Sequence, residues 1–337
     1  MAEDSHPTYL SPSELGTKDY WETYYARTLA HIAKTQDETT SPADEGKEDS
    51  DINEEDDPGT SWFSEHNAPE KVLRFLKART FPLSPRNTLR QQERRSTTPN
   101  TQPSILDLGT GNGSMLALMR RKGGFTGPMV GVDYSAQSIE LARGLQKTRG
   151  HSAYHTESED EEDEQEDGEE EKGYVDAEKE ADQEVVEVSV GGSWCCANPA
   201  MLSPSGMAVQ VPEGEERLPW FPYEEGGFDI VLDKGTFDAI SLASDAKETR
   251  VCERYPDIVR RLIKAGGFLV VTSCNWTEDE LVKWFAGPAS TSSPDRLVVW
   301  GRVEYPTFRF GGAGRTRSVY GVFPEGGGVF IEGRSGI

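Results

Sequence analysis

The sequence predicts a doubly wound α/β domain on a parallel sheet, from three observations. From Ile105 onward, apolar runs alternate with amphipathic stretches in the order strand, glycine turn, helix, strand, helix. The glycine-rich turn lies directly after the first apolar run and directly before an apolar-periodic helix, and carboxylates end several of the strand candidates. No internal repeat is found, so the 337 residues read as one domain of about seven strands with ragged insertions.

Taken in order, residues 1–36 form an N-terminal helical arm. Its helix begins after Gly16 with Thr17 as N-cap, and Tyr20, Tyr24 and Leu29 lie roughly along one stripe. An acidic linker spans 37–58, and 59–102 hold a second helix with Pro69 in its first turn, followed by a polar connector from Pro82 to Pro103. Residues 103–150 carry the first half of the core: strand Ile105–Leu108, helix Met115–Arg121, strand Met129–Asp133 and helix Ser135–Lys147. A second acidic insertion, 151–215, contains the strand candidate Val185–Val190, whose role the pattern does not fix. The second half, 216–330, gives strand Phe228–Asp233, a helix around Thr249 to Lys264, strand Gly267–Thr272 and a capped helix from Thr277. Strand signals at Leu297–Trp300, running on toward Phe308, and at Ser318–Phe323 close the pattern.

The formal charge of −24 is concentrated rather than spread. Residues 37–57 carry −10 and residues 157–187 carry −16, which leaves +2 on everything else. Acidic, aromatic-poor runs of this kind bury too little apolar surface to offset chain entropy and are expected to be disordered insertions. The folded body is then nearly neutral, and no nucleic-acid partner is expected. Cys195, Cys196, Cys252 and Cys274 show neither C-x-x-C spacing nor a suitably spaced His, so neither a disulfide framework nor a metal site is expected. The start Met1-Ala-Glu-Asp-Ser-His has no secretory pattern and no segment is long and apolar enough to span a membrane. A monomer of the cytosol, or also the nucleus, is the expectation.

The sharpest local signal is Asp107-Leu-Gly109-Thr110-Gly111-Asn112-Gly113. Glycines at such a turn allow backbone angles and a close ligand approach that a Cβ would forbid, beside a helix N-terminus. A dinucleotide fingerprint needs G-x-G-x-x-G or A, and Ser114 stands where its last residue belongs, which disfavours a nicotinamide cofactor. The spacing D-x-G-x-G-x-G instead resembles the first motif of class I S-adenosylmethionine methyltransferases, whose Rossmann-like loop cradles the methionine moiety. That resemblance places Asp107 facing the ammonium group. Asp133 ends the next strand, where a carboxylate can accept hydrogen bonds from both ribose hydroxyls. The plainer alternative is a tight turn with Asp133 as a helix cap.

Two further segments sit where ligands of open α/β sheets bind: Asp233-Lys-Gly-Thr-Phe237-Asp-Ala-Ile-Ser after the fourth strand, and Thr272-Ser-Cys-Asn275-Trp276-Thr after the fifth. With Leu15-Gly-Thr-Lys-Asp-Tyr-Trp, Leu106–Gly113, Gly131-Val-Asp-Tyr134-Ser and Pro306-Thr-Phe-Arg-Phe-Gly-Gly, they closely resemble the eukaryotic protein-lysine methyltransferases that modify elongation factor 1-alpha. The resemblance covers most of the chain outside the acidic runs. It implies a seven-stranded class I methyltransferase fold, S-adenosylmethionine as cofactor and a protein partner, elongation factor 1-alpha. It also implies a cofactor site of Asp107, Gly109, Thr110, Gly111, Asn112, Gly113, Asp133, Tyr134 and Asp233. The contact to adenine is left open among Asp176, Glu187 and a residue near Trp194.

Lysine methylation is an in-line attack by a neutral amine, so the protein must align the reactants and provide a route for a proton. Asp233 is expected to orient the amine, with Phe237, Asn275 and Trp276 forming the acceptor side of the site. The structural alternatives are Asp233 as a strand-end cap, Asp238 as a helix N-terminal charge, and Phe237 and Trp276 as packing residues. Two rival functions remain: methylation of a small molecule or nucleic acid on the same fold, and a non-catalytic interaction protein. The absence of Asn/Asp-Pro-Pro-Tyr/Phe after the fourth strand weakens the first, and the intact loop with Asp133 opposes the second.

Overall fold

The computed structural model describes residues 9–39, 58–59, 67–88, 102–155, 186–190, 218–244, 250–286, 296–303, 308–310, 313–315 and 318–324. Most of the two acidic runs lies outside the described residues, as do Asp176 and Trp194. Nine strands are described: β1 Ile105–Leu108, β2 Met129–Asp133, β3 Val186–Val190, β4 Phe228–Lys234, β5 Ile263–Ser273, β6 Leu297–Val303, β7 Phe308–Phe310, β8 Ala313–Arg315 and β9 Ser318–Pro324. Helices are α1 Lys18–Thr39, α2 Ala68–Lys77, α3 Ser114–Arg121, α4 Ala136–Thr148, α5 Thr236–Ser241, α6 Val251–Leu262 and α7 Glu278–Phe285.

Seven strands form one sheet in the order β3-β2-β1-β4-β5-β9-β6, with β7 and β8 a separate antiparallel ribbon. All pairings from β3 to β5 are parallel, and β9 is antiparallel to both of its neighbours, β5 and β6. The strand order reverses between β1 and β4, which puts the ligand crevice of a doubly wound sheet outside their carboxyl ends.

Alternation along the strands divides the core into two. Ile105, Ile230, Leu232, Phe268 and Val270 pack on the face covered by α1, α2, α3 and α4. Leu106, Leu108, Val231, Leu269 and Val271 pack on the face covered by α6 and α7. Strands buried on both sides carry apolar residues at every step, because each side chain leaves water whichever way it points. Each such Val, Leu or Ile contributes about 1.5–3 kcal/mol of burial.

Most of the expected elements are present, and the differences are informative. The buried stripe of α1 is Trp21 and Tyr25, four residues apart, while Tyr20, Tyr24 and Leu29 are only partly covered. That helix runs to Thr39, past the expected end of the arm at 36. The polar connector starts as a packed turn, with Phe81, Ser84 and Thr88 buried. Ile263 and Lys264 open β5 rather than ending a helix, and β6 stops at Val303, so Phe308 belongs to a different strand. Strand β3 pairs in parallel with β2, which gives the Val185–Val190 segment its place. No helix among the described residues is long and apolar enough to cross a membrane.

Candidate active site

The three loop glycines occupy the left-handed region, with φ of 62° at Gly109, 58° at Gly111 and 76° at Gly113. A Cβ on Gly109 would stand 2.2 Å from the Thr236 hydroxyl, which donates a 2.6 Å hydrogen bond to the Leu108 carbonyl. The glycine loop and the Asp-Lys-Gly-Thr segment are therefore one interlocked unit. Within the loop, Asn112 accepts from the Ser114 N–H at 3.1 Å and donates to the Pro58 carbonyl at 2.8 Å. Thr110 donates at 2.7 Å to Asp107 Oδ2.

Register and parity decide which acids share a face. Asp107 pairs with Gly131 and with Leu232, whereas Asp233 pairs with Leu108, which itself pairs with Val132. Side chains alternate across a sheet, so Asp107 and Asp133 project toward the α1 side while Asp233 projects toward α6. Asp133 accepts from the Gly111 N–H at 3.0 Å and from the Ser135 N–H at 2.9 Å, which fixes the ends of two loops with one carboxylate. Burial raises its pKa against those two donors and the further pull of the Ser138 hydroxyl and the Tyr134 N–H. Burial also raises Asp107 to about 6, opposed by Thr110 and by the positive charge of Lys234. Tyr134 is half-buried and donates at 3.3 Å to the Thr17 carbonyl.

Asp233 is 1% exposed and fully engaged. Its Oδ1 accepts from the Thr236 and Phe237 N–H groups at 2.9 and 3.2 Å, and its Oδ2 accepts from the Tyr255 hydroxyl at 2.6 Å. Burial pushes its pKa up to about 7 against these donors. This is the geometry of a cap for α5, and it keeps Asp233 apart from Asp107 and Asp133. Phe237 has no exposed surface and stacks on Tyr255 at 5.6 Å and on Trp276 at 5.9 Å between ring centroids.

The turn after β5 is built on a residue the sequence reading left as a helix charge. Asp238 Oδ1 accepts from the Ser273 hydroxyl at 2.7 Å and from the Asn275 N–H at 3.3 Å, and Oδ2 accepts from the Cys274 N–H at 2.9 Å. Ser273 in turn accepts from the Trp276 N–H at 3.0 Å. Asn275 and Trp276 are held at the sheet edge by this clamp, Trp276 buried and its indole N–H without a hydrogen-bond partner among the described residues. Tyr255 carried no local signal, and although Thr236 and Asp238 lie in a segment that the sequence singles out, their partners Leu108 and Ser273 are distant in sequence. A shallow open depression lined by Glu22, Arg27 and Gln137 lies on the outside of α1 and α4, away from the loop.

A parallel sheet reversing between β1 and β4, a glycine turn after β1 and an acid closing β2 make a Rossmann-like fold of the class I methyltransferase kind. Residues 100–176 match a family described as a methyltransferase domain. Over 305 residues the chain is 29% identical to the protein-lysine N-methyltransferase EFM4 of Saccharomyces cerevisiae, covering 90% of this chain and 91% of that one. It is 26% identical to the protein-lysine N-methyltransferase efm4 of Schizosaccharomyces pombe (92% and 94% covered) and 26% identical to EEF1A lysine methyltransferase 2 of Homo sapiens (89% and 82% covered). The chain is thus similar along about nine tenths of its length to these protein-lysine methyltransferases, and its central part matches a methyltransferase domain.

Proposed function

We propose that the chain is an S-adenosylmethionine-dependent protein-lysine N-methyltransferase whose acceptor is a lysine of translation elongation factor 1-alpha. The observation that carries this reading is similarity along nine tenths of the chain to relatives named for that reaction, together with an intact loop and acids. The donor atoms suit the cofactor. Asp107 has one carboxylate oxygen taken by Thr110 and the other without a hydrogen-bond partner among the described residues, which fits an ammonium group. Asp133 uses two of its roughly four acceptor positions on backbone N–H groups, which leaves two for a ribose diol. Gly109, Thr110, Gly111, Asn112 and Gly113 supply a backbone cradle, and Tyr134 closes its outer side.

The cofactor supplies, when bound, an electrophilic methyl group on a sulfonium. This chain has to hold the acceptor in line with it and help the amine lose its proton, which for a free lysine near neutral pH costs about 4 to 5 kcal/mol. Asp233 serves by fixing the start of α5, and so the Lys234-Gly235 turn against the glycine loop. Asp238 and Ser273 take the backbone N–H of Asn275, while its side-chain amide has no hydrogen-bond partner among the described residues. That amide orients the amine, and Trp276 with Phe237 behind it makes a water-poor wall that disfavours the charged form.

The test is incubation of the purified chain with elongation factor 1-alpha and methyl-labelled S-adenosylmethionine, followed by mass spectrometry of the product. Label on one lysine, absent with the Gly111→Arg variant, is the expected result. Full-strength wild-type protein that leaves the factor unlabelled would remove the substrate assignment.

A further inference from the structure

The segment Leu15-Gly-Thr-Lys-Asp-Tyr-Trp and the helix it opens lie outside the residues assigned a role above, yet they contact the turn after β2 and the glycine loop. The Ser13 N–H donates to the Leu242 carbonyl at 3.0 Å, and Gly16 lies so close to Leu242 that a Cβ there would meet its carbonyl carbon at 2.3 Å. Thr17 accepts from Tyr134 at 3.3 Å, and the Trp21 indole N–H donates to the Leu15 carbonyl at 2.8 Å. One turn further, the Glu22 carboxylate accepts from the Ser135 hydroxyl at 3.2 Å and from the Ala136 and Gln137 N–H groups at 3.1 and 3.3 Å. It caps α4 from another helix, at the turn that begins with Asp133. Burial alone would raise the Glu22 pKa, but these N–H donors outweigh it and hold the carboxyl below its usual range.

Three residues on, Tyr25 reaches the glycine loop. Its hydroxyl stands 2.7 Å from the point a Cβ on Gly111 would occupy, on the face of the sheet that carries Asp107 and Asp133. The residue is 8% exposed, and nothing among the described residues hydrogen-bonds the hydroxyl. The ring is buried while the hydroxyl itself stays accessible, so a ligand that accepts from it gains a hydrogen bond without displacing another protein partner.

We propose that Tyr25 contacts the cofactor, its hydroxyl donating to the carboxylate of the amino-acid end of S-adenosylmethionine, and that Glu22 is the positioning residue that holds α1 in place for this contact. The proposal rests on the cofactor assignment above. It divides the zwitterion sensibly: Asp107 faces the ammonium group and Tyr25, a pure donor toward an anion, faces the carboxylate. Burial and the nearby Asp133 raise the Tyr25 pKa, so the phenol keeps its proton.

Calorimetry on the full chain separates this from a packing role, with two probes: S-adenosylhomocysteine, and 5′-methylthioadenosine, which lacks the amino-acid end. Tyr25→Phe should weaken S-adenosylhomocysteine about tenfold, equivalent to about 1.4 kcal/mol, and leave 5′-methylthioadenosine unchanged. Its melting temperature should stay within about a degree of wild type. Glu22→Ala should weaken both ligands, because the Asp133 turn and α1 loosen together, and Glu22→Gln, which keeps one acceptor oxygen, should recover part of the loss. Unchanged affinity in Tyr25→Phe, an equal loss for both ligands, or tighter binding because the ring had been blocking the pocket would each overturn the proposal. A wild-type chain that binds neither ligand would overturn the cofactor assignment itself, a different result from any of these.

Discussion

Asp107 and Asp233 are buried at strand ends, and in each case burial outweighs the hydrogen bonds that favour ionisation. That has a measurable consequence in pH. Asp233 moves from 3.8 in the unfolded chain to about 7 in the fold, and Asp107 to about 6. The folded state therefore keeps protons that the unfolded chain has released, so these groups favour folding most below pH 4. Their contribution is lost as pH rises toward 7. Replacing Asp233 with Asn removes one such group, and the difference in stability between wild type and variant should change across pH 4 to 7 by up to one proton's slope, about 1.4 kcal/mol per pH unit. Urea unfolding at intervals across that range measures it, and parallel wild-type and variant curves would refute the assignment. The glycine loop, Asp107 and Asp133 were legible in the sequence because their chemistry is local: a turn, a helix start, an acid at a fixed spacing. Asp233 was legible as a position but not in its surroundings, since its hydroxyl partner Tyr255 lies 22 residues on, across a helix pairing that no spacing rule specifies.

Elements joined by single side chains behave as units. Asp238 ties α5 to the turn after β5, and its buried carboxylate satisfies the Ser273 hydroxyl and the backbone N–H groups of Cys274 and Asn275. Removing it leaves these donors without their acceptor, at about 1–3 kcal/mol for a buried group left unpaired. Asp238→Ala should therefore lower stability by about 3 kcal/mol, and turnover on the protein substrate should fall more than affinity for S-adenosylhomocysteine, because Asn275 and Trp276 sit on that turn while the glycine loop does not. Chemical denaturation and calorimetry test the two halves; a variant as stable as wild type would show that the clamp is incidental. The same unit shows where sequence patterns fail. A six-residue helix such as α5 is too short for a periodic signal, and Asp238 could only be read as a charge near a helix start. By contrast α7 announced itself, because Thr277 and Glu280 form a capping box whose two halves are three residues apart. The helix-to-strand boundary at Ile263 was misplaced because Leu262, Ile263 and Lys264 fit either period until β4 pairs with them through Phe228.

For the molecule as a whole, the order of strands in the sheet differs from their order in the chain, and this makes one late segment structural for everything before it. Strand β9, Ser318–Pro324, lies between β5 and β6 and is paired along both edges: Leu269 through Ser273 on one side and Leu297 through Val303 on the other. Strand signals at both places were visible in the sequence, but not this insertion, because an antiparallel return across a long connection leaves no local mark. Its position has a cost in folding, since the sheet closes only through contacts far apart in sequence, which are slow to form. It also has a cost if the strand is lost. A chain ending at residue 317 would keep the loop, all three acids and the clamp, yet expose the unpaired backbone edge of β5 beside Leu269, Val270 and Val271, and leave β6 with no neighbour. Such a chain should accumulate as insoluble protein, or as a soluble form lacking a cooperative unfolding transition and binding S-adenosylhomocysteine at least tenfold more weakly, roughly 1.4 kcal/mol or more. Sedimentation, near-ultraviolet circular dichroism and calorimetry would report each of these. A soluble, cooperatively folded chain of 317 residues with wild-type affinity would mean that the cofactor half of the sheet stands without its antiparallel edge, and that the two halves fold independently.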